Sequence, residues 1–129
     1  MTLDSSALLA ILFSEAGHLE LVDRILDADH VRVAAPTLVE TTLVLAGRRS
    51  SLPAAETVEA LVRELGITVV PFGEREWAHA VDAFLRFGRG RHAAGLNFGD
   101  CLAYGAAAAA NDTLLFVGHD FAHTDISSG

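Results

Sequence analysis

Four short apolar runs divide this chain, at residues 1–3, 31–34, 67–70 and 114–117, and the stretches between them carry helical rather than strand periodicity. Strands separated by helical segments are joined by crossovers, not hairpins. That makes the strands parallel and requires helices over both faces of the sheet. The expected fold is therefore a three-layer α/β/α domain with a central parallel sheet. Four strands are evident, and Ile126 in the tail offers a fifth at the edge. Nothing resembles a linker or a repeat, so residues 1–129 read as one domain.

The helical segments differ in how clearly they are bounded. Ser5 and Ser6 lead into an apolar helix through Phe13, and the helical spacing continues past Gly17 through Leu19, Val22, Ile25 and Leu26. Pro36 opens the next helix, where its missing N–H does no harm, and Gly47 is expected to close it. Pro53 starts a further helix that ends near Gly66, and Trp77, Val81, Phe84 and Leu85 mark a face of the following one. Residues 87–99 are irregular and rich in glycine and arginine. Asp100 begins an alanine-rich helix reaching about Asn111.

Composition excludes several classes. Half of the residues are apolar, too many for a disordered chain. No apolar run approaches the ~18 residues of a membrane span. The start has no basic segment and reaches Asp4 at once, unlike a signal peptide. The single cysteine, Cys101, has no internal partner, which suits a reducing cytoplasm. A net charge of −8 argues against a non-specific nucleic-acid coat, but not against a nuclease whose acids hold a metal. Lysine is absent, so every fixed cation is an arginine. Either planar phosphate recognition or a GC-rich genome accounts for that.

Four acids stand where strands end or helices begin. Asp4 follows the first strand, Asp100 opens a helix, and Asp120 follows Gly118-His119 after the fourth strand. Each has an ordinary explanation, as a helix N-cap or an Asx-turn. Glu40 is harder to explain that way. On a helical wheel it falls between Leu43 and Val44 on a helix apolar nearly all round, and a buried carboxylate needs a partner. In a parallel α/β fold these positions converge on the carboxyl edge of the sheet. Mg²⁺ or Mn²⁺ would offset their repulsion and promote attack of water on a phosphodiester.

The motifs at these acids resemble those of PIN domains, and of VapC-type toxins in particular. The opening Leu3-Asp4-Ser5-Ser6-Ala7-Leu8-Leu9 resembles their first motif and Thr37-Leu38-Val39-Glu40 their second. The stretch from Gly90 through Asn97-Phe98-Gly99-Asp100-Cys101 is similar to the third, and Gly118-His119-Asp120-Phe121 with Thr124-Asp125-Ile126 to the fourth. The resemblance spans essentially the whole chain. His119 departs from relatives, which often carry an acid or amide there. The resemblance implies a metal-dependent endoribonuclease, the toxin of a type II toxin–antitoxin pair that cleaves tRNA or rRNA. It also implies inhibition by a VapB-type antitoxin and homodimerisation. Asp4, Glu40, Asp100 and Asp120 would form the catalytic metal site. Ser6 would lie beside it as a hydroxyl contact, and Asp125 would be an outer acid.

Arg86, Arg89, Arg91 and His92 gather just before Asp100, either as an RNA-binding patch or as a solvated loop. Glycines 88, 90 and 95 would let that loop move or approach RNA closely. Cys101 reads as a small buried hydrophobe, and the histidines lack zinc-ligand spacing. Trp77, Phe84 and Phe87 suit a core or a dimer interface. A phosphoreceiver domain would need an early acid pair and a late lysine, and an acyl-phosphate phosphatase an Asp-x-Asp; the sequence has neither. A catalytically silent interaction module of the same fold remains the alternative.

Overall fold

The computed structural model describes residues 1–129. In chain order it contains β1 (Thr2–Leu3), α1 (Ser5–Leu12), α2 (His18–Asp27), β2 (Arg32–Ala34), α3 (Ala35–Arg48), α4 (Ala54–Glu64), β3 (Thr68–Val70), α5 (Glu74–Phe87), α6 (Phe98–Ala109) and β4 (Leu114–Leu115). The four strands form one parallel sheet in the order β3-β2-β1-β4, with Leu3 opposite Leu115 and Val33 opposite Val69. From β1 the chain adds β2 and β3 on one side, then returns to place β4 on the other. The order therefore reverses between β1 and β4, which opens a crevice at their carboxyl ends. Asp4 is the residue that follows β1 there.

Two apolar clusters, one on each side of the sheet, make this a three-layer α/β/α fold. Leu3, Ala7, Leu8, Ile25, Val33 and Leu115 join the sheet to α1 and α2. Ala83, Phe87, Leu96, Tyr104, Ala107, Leu114 and Phe121 join it to α5 and α6. Leu3 and Leu115 are fully buried in the first cluster and Leu114 in the second, each contributing about 1.5–3 kcal/mol by leaving water. α5 and α6 run antiparallel: Arg75 near the start of α5 donates to the Ala109 carbonyl at the end of α6, at 2.7 Å. The alanine-rich face of α6 permits their close approach. At Gly105 even a methyl group would come within 2.6 Å of the Glu76 carbonyl.

The elements depart from the sequence reading in a few places. The helical spacing from Ser5 to Ala28 belongs to two helices, not one. Ser14 and Gly17, at φ 51° and 85°, turn the chain left-handed between them, which an α-helix cannot accommodate. α3 continues through Gly47 to Arg48. β4 stops at Leu115 because the Val117 N–H leaves the ladder and donates to Ser6 Oγ at 3.0 Å. Ile126 adds no strand; the tail makes a single parallel bridge, Ser128 to Leu114. No helix is long and apolar enough to cross a membrane.

A carboxylate pocket at the carboxyl edge of the sheet

Asp4 serves as a cap and still has an oxygen to spare. Its backbone is extended (φ −87°, ψ 157°), and Oδ2 accepts the Ser6 N–H at 3.0 Å as the N-cap of α1. The Ser6 hydroxyl donates to the same oxygen and accepts from Val117, so one serine joins the ends of β1 and β4. Asp4 Oδ1 is buried and has no partner. The capping reading of Asp4 is therefore correct for Oδ2, while Oδ1 remains free of any protein partner.

Asp100 sits deeper in its helix than the sequence suggests. Asn97 caps α6, and Asp100 occupies the third helical position of a capping box. Its Oδ2 accepts the Asn97 N–H at 2.9 Å, and its own N–H donates to Asn97 Oδ1 at 2.9 Å. This reciprocal pair fixes the carboxylate's orientation at the helix N-terminus. The Asn-x-x-Asp spacing was the signal for it.

Glu40 reaches the pocket from the second turn of α3 and is half-buried, with Oε2 unpartnered. It lies against Gly99, where any Cβ would collide with the carboxylate oxygens. A side chain at 99 would have to push the Glu40 carboxylate aside, a coupling between the two positions that the sequence did not reveal. Asp120 differs from the other three: it is exposed and lies in an irregular turn after β4.

The electrostatics show that the four charges share one region. Burial raises the Asp100 carboxyl to about 6. The Asn97 hydrogen bond opposes the rise, while the charges of Asp4, Asp120 and Glu40 add to it. Burial also raises Asp4 against its serine hydrogen bonds, with a contribution from Asp120. Glu40 is raised by burial, then by the charge of Asp4. No salt bridge reaches any of the four, so the protein supplies no cation to this cluster.

The donor set fits a hard divalent ion. No three acid, histidine or cysteine side chains yet stand close enough to ligate one ion together, so the carboxylates converge without closing. Mg²⁺ commonly takes only one or two protein carboxylates and retains several waters. The buried, unpartnered Asp4 Oδ1 and Glu40 Oε2 meet that need. Cys101 is buried, and burial followed by the Asp100 charge pushes its thiol up to about 11, which rules against a thiolate nucleophile.

The surrounding residues divide into bound and free. Arg86 is on the last turn of α5, not in the loop, and bridges Asp82 and Asp125 while stacking 4.5 Å from the Phe87 ring. It is committed to those partners. Asp125 faces Arg86 and the Tyr104 hydroxyl instead of the four acids. Arg89 and Arg91 are exposed and unpaired with any carboxylate, although Arg91 lies 5.4 Å from the Phe84 ring centre. His92 is exposed, edge-on to Phe87, and its Nδ1 accepts the Ala94 N–H. The 88–96 loop is closed on itself: Arg89 donates to the Leu96 carbonyl and Leu96 to that of Phe87. Gly90 and Gly95 supply the positive φ angles its turns need. Phe87 is core, but Trp77 and Phe84 are exposed.

Comparison with known proteins matches the chain to the PIN domain over residues 1–127. Ribonuclease VapC36 of Mycobacterium tuberculosis is 42% identical over 128 residues, covering 98% of this chain and 91% of that protein. Ribonuclease VapC of Mycolicibacterium smegmatis is 33% identical over 129 residues, covering 99% and 98% respectively. Among solved structures, M. tuberculosis VapC20, described as a toxin that cleaves the sarcin–ricin loop, aligns with a TM-score of 0.75. That alignment covers 99% of this chain and 97% of the other at 17% identity, so the likeness is one of fold.

Proposed function

Because the chain belongs to the PIN-domain family, we propose that its four-acid pocket carries the endoribonuclease activity of a toxin–antitoxin toxin. The observation that carries this reading is the pair of buried carboxylate oxygens without partners, Asp4 Oδ1 and Glu40 Oε2, in a cluster with no protein cation. Asp4, Glu40, Asp100 and Asp120 would hold Mg²⁺ or Mn²⁺, with waters completing its coordination. Such an ion supplies Lewis acidity for attack of water at phosphorus and offsets charge on the phosphate oxygens. The protein's own part is orientation. Ser6 fixes one oxygen of Asp4 and Asn97 one oxygen of Asp100, which leaves the second oxygen of each free for a ligand.

The substrate is RNA, with tRNA and rRNA the favoured targets, and Arg89 and Arg91 grip its phosphates; Arg86 and His92 are held by other contacts. The inhibitor is a VapB-type antitoxin. A homodimer is supported by exposed apolar side chains on α3 and α5, Val39, Leu43, Trp77, Val81 and Leu85, each more than two-fifths accessible. One domain working in the cytoplasm completes the reading. A silent interaction module would use the same apolar face, but it would have no need to keep buried carboxylates unpaired. RNA incubated with the protein and Mg²⁺ is cleaved, whereas Asp4→Asn leaves it intact. Cleavage that persists at full rate in excess EDTA would sink the metal reading.

A further inference from the structure

Three of the four acids are mounted on helices or their caps, but Asp120 is carried by a segment, residues 116–126, without helix or strand. Such a segment positions a carboxylate only if other contacts immobilise it. Its ends are tied: the Val117 N–H donates to Ser6 Oγ, and Leu114 donates to the Ser127 carbonyl beside β4. Phe121, 3% exposed, anchors the middle against Phe116, with ring centres 5.0 Å apart.

The remaining tie is charged. Asp125 Oδ1 accepts the Tyr104 hydroxyl at 2.6 Å, and Oδ2 accepts Arg86 Nη2. Tyr104 is 5% exposed and lies one helical turn beyond Asp100 on α6. Arg86 is held in turn by Asp82, at 3.1 Å, and by the Phe87 ring. The carboxylate of Asp125 thus docks the Asp120 segment onto both α5 and α6, next to the helix that carries Asp100.

We propose that Asp125, through Tyr104 and Arg86, is a positioning residue that holds the Asp120 segment in register with the carboxylate pocket. The inference rests on the reading of Asp120 as a metal-site residue. Both carboxylate oxygens of Asp125 are already taken by Tyr104 and Arg86. It acts on where Asp120 stands, as outer partners of metal ligands generally do.

The test compares Asp120→Asn, Asp125→Ala, Asp125→Asn and Tyr104→Phe with the wild type. Mn²⁺ binding is read by electron paramagnetic resonance of the free ion, and amide exchange of residues 117–124 is measured without metal. Asp125→Ala and Tyr104→Phe are expected to weaken Mn²⁺ binding about tenfold and to speed exchange in that segment by a similar factor, with α1 and β1 unchanged. Asp125→Asn keeps an acceptor for Tyr104 and is expected to lose less. Circular dichroism shows whether each variant is folded, and the exposed Asp125 sites serve if Tyr104→Phe is not. If Asp120→Asn weakens Mn²⁺ binding while the Asp125 variants bind and exchange as wild type, positioning is refuted and the metal reading stands. If Asp120→Asn binds Mn²⁺ like the wild type, the positioning proposal and the assignment of Asp120 to the metal site are both overturned.

Discussion

The two edges of the sheet treat their acids in opposite ways. At the amino edge, Asp112 receives the chain's terminal ammonium at 2.9 Å, Arg32 at 3.3 Å, the Thr2 hydroxyl at 3.0 Å and the Thr113 N–H. These partners hold its carboxyl below the usual range in spite of partial burial. At the carboxyl edge, Asp4, Glu40 and Asp100 are raised by burial and receive no cation. The same chain can satisfy an acid fully where only structure requires it. The uncompensated charge at the other edge is what the proposed metal site would account for.

The largest expected effect would come from removing the carboxyl-edge charge. Asp4→Asn or Asp100→Asn should lower Mg²⁺-dependent RNA cleavage about 1000-fold, corresponding to several kcal/mol of lost charge stabilisation. Neither should lower the melting temperature of the metal-free protein, because each removes an uncompensated buried charge. A melting temperature reduced as much as the activity would make these acids structural, like Asp112.

Gly99→Ala probes the packing of the pocket. Its methyl group would push the Glu40 carboxylate aside, so cleavage should fall about tenfold, and the forced rotamer should cost about 0.5–1.5 kcal/mol. Adding Glu40→Ala should recover the stability measured in urea but not the activity. Recovery of both would show that Glu40 has no part in the chemistry.

Asp112→Ala should do the reverse of the carboxyl-edge changes. Loss of its partly exposed ion pairs should cost about 1–2 kcal/mol of stability, with cleavage unchanged well below the melting temperature. The pH dependence should also differ in sign. Asp100, raised from 3.8 to about 6, binds its proton more tightly when folded. Its stabilising contribution is therefore complete below about 4 and lost as pH rises through about 6. Asp112, being lowered, contributes above its usual 3.8 and loses that contribution as pH falls. The metal-free wild type should melt higher at pH 5 than at pH 7, and Asp100→Asn should remove much of that difference.

The smallest effect concerns the 88–96 loop. Arg89→Ala and Arg91→Ala should each reduce the salt slope of RNA binding by about 0.7, one phosphate contact apiece. A slope unchanged in both would return the loop to solvent. Arg86→Ala should change the slope little, because its charge is already shared by Asp82 and Asp125.

Much of this was legible in the sequence because it is local. Short apolar runs and helical spacing placed all four strands, and strand-end position together with the family motifs gathered the four acids. Glu40's half-burial followed from its apolar wheel. What remained hidden depended on contacts between distant segments. The left-handed turn at Ser14 and Gly17 splits a continuous apolar spacing, and Val117 leaves its strand for the hydroxyl of Ser6, 111 positions away. Arg86 looked free because its partner Asp125 lies 39 positions further on.

The sequence by itself determined the parallel three-layer architecture, because crossover connections and apolar periodicity leave few other packings. It also determined which carboxylates lie at the carboxyl edge. Only the tertiary structure decided which oxygens remain unpartnered, that residue 99 packs against the Glu40 carboxylate, and which arginines are spent on ion pairs. Those outcomes depend on side chains from separate elements meeting at a few ångströms, and periodicity along a chain carries no such distances.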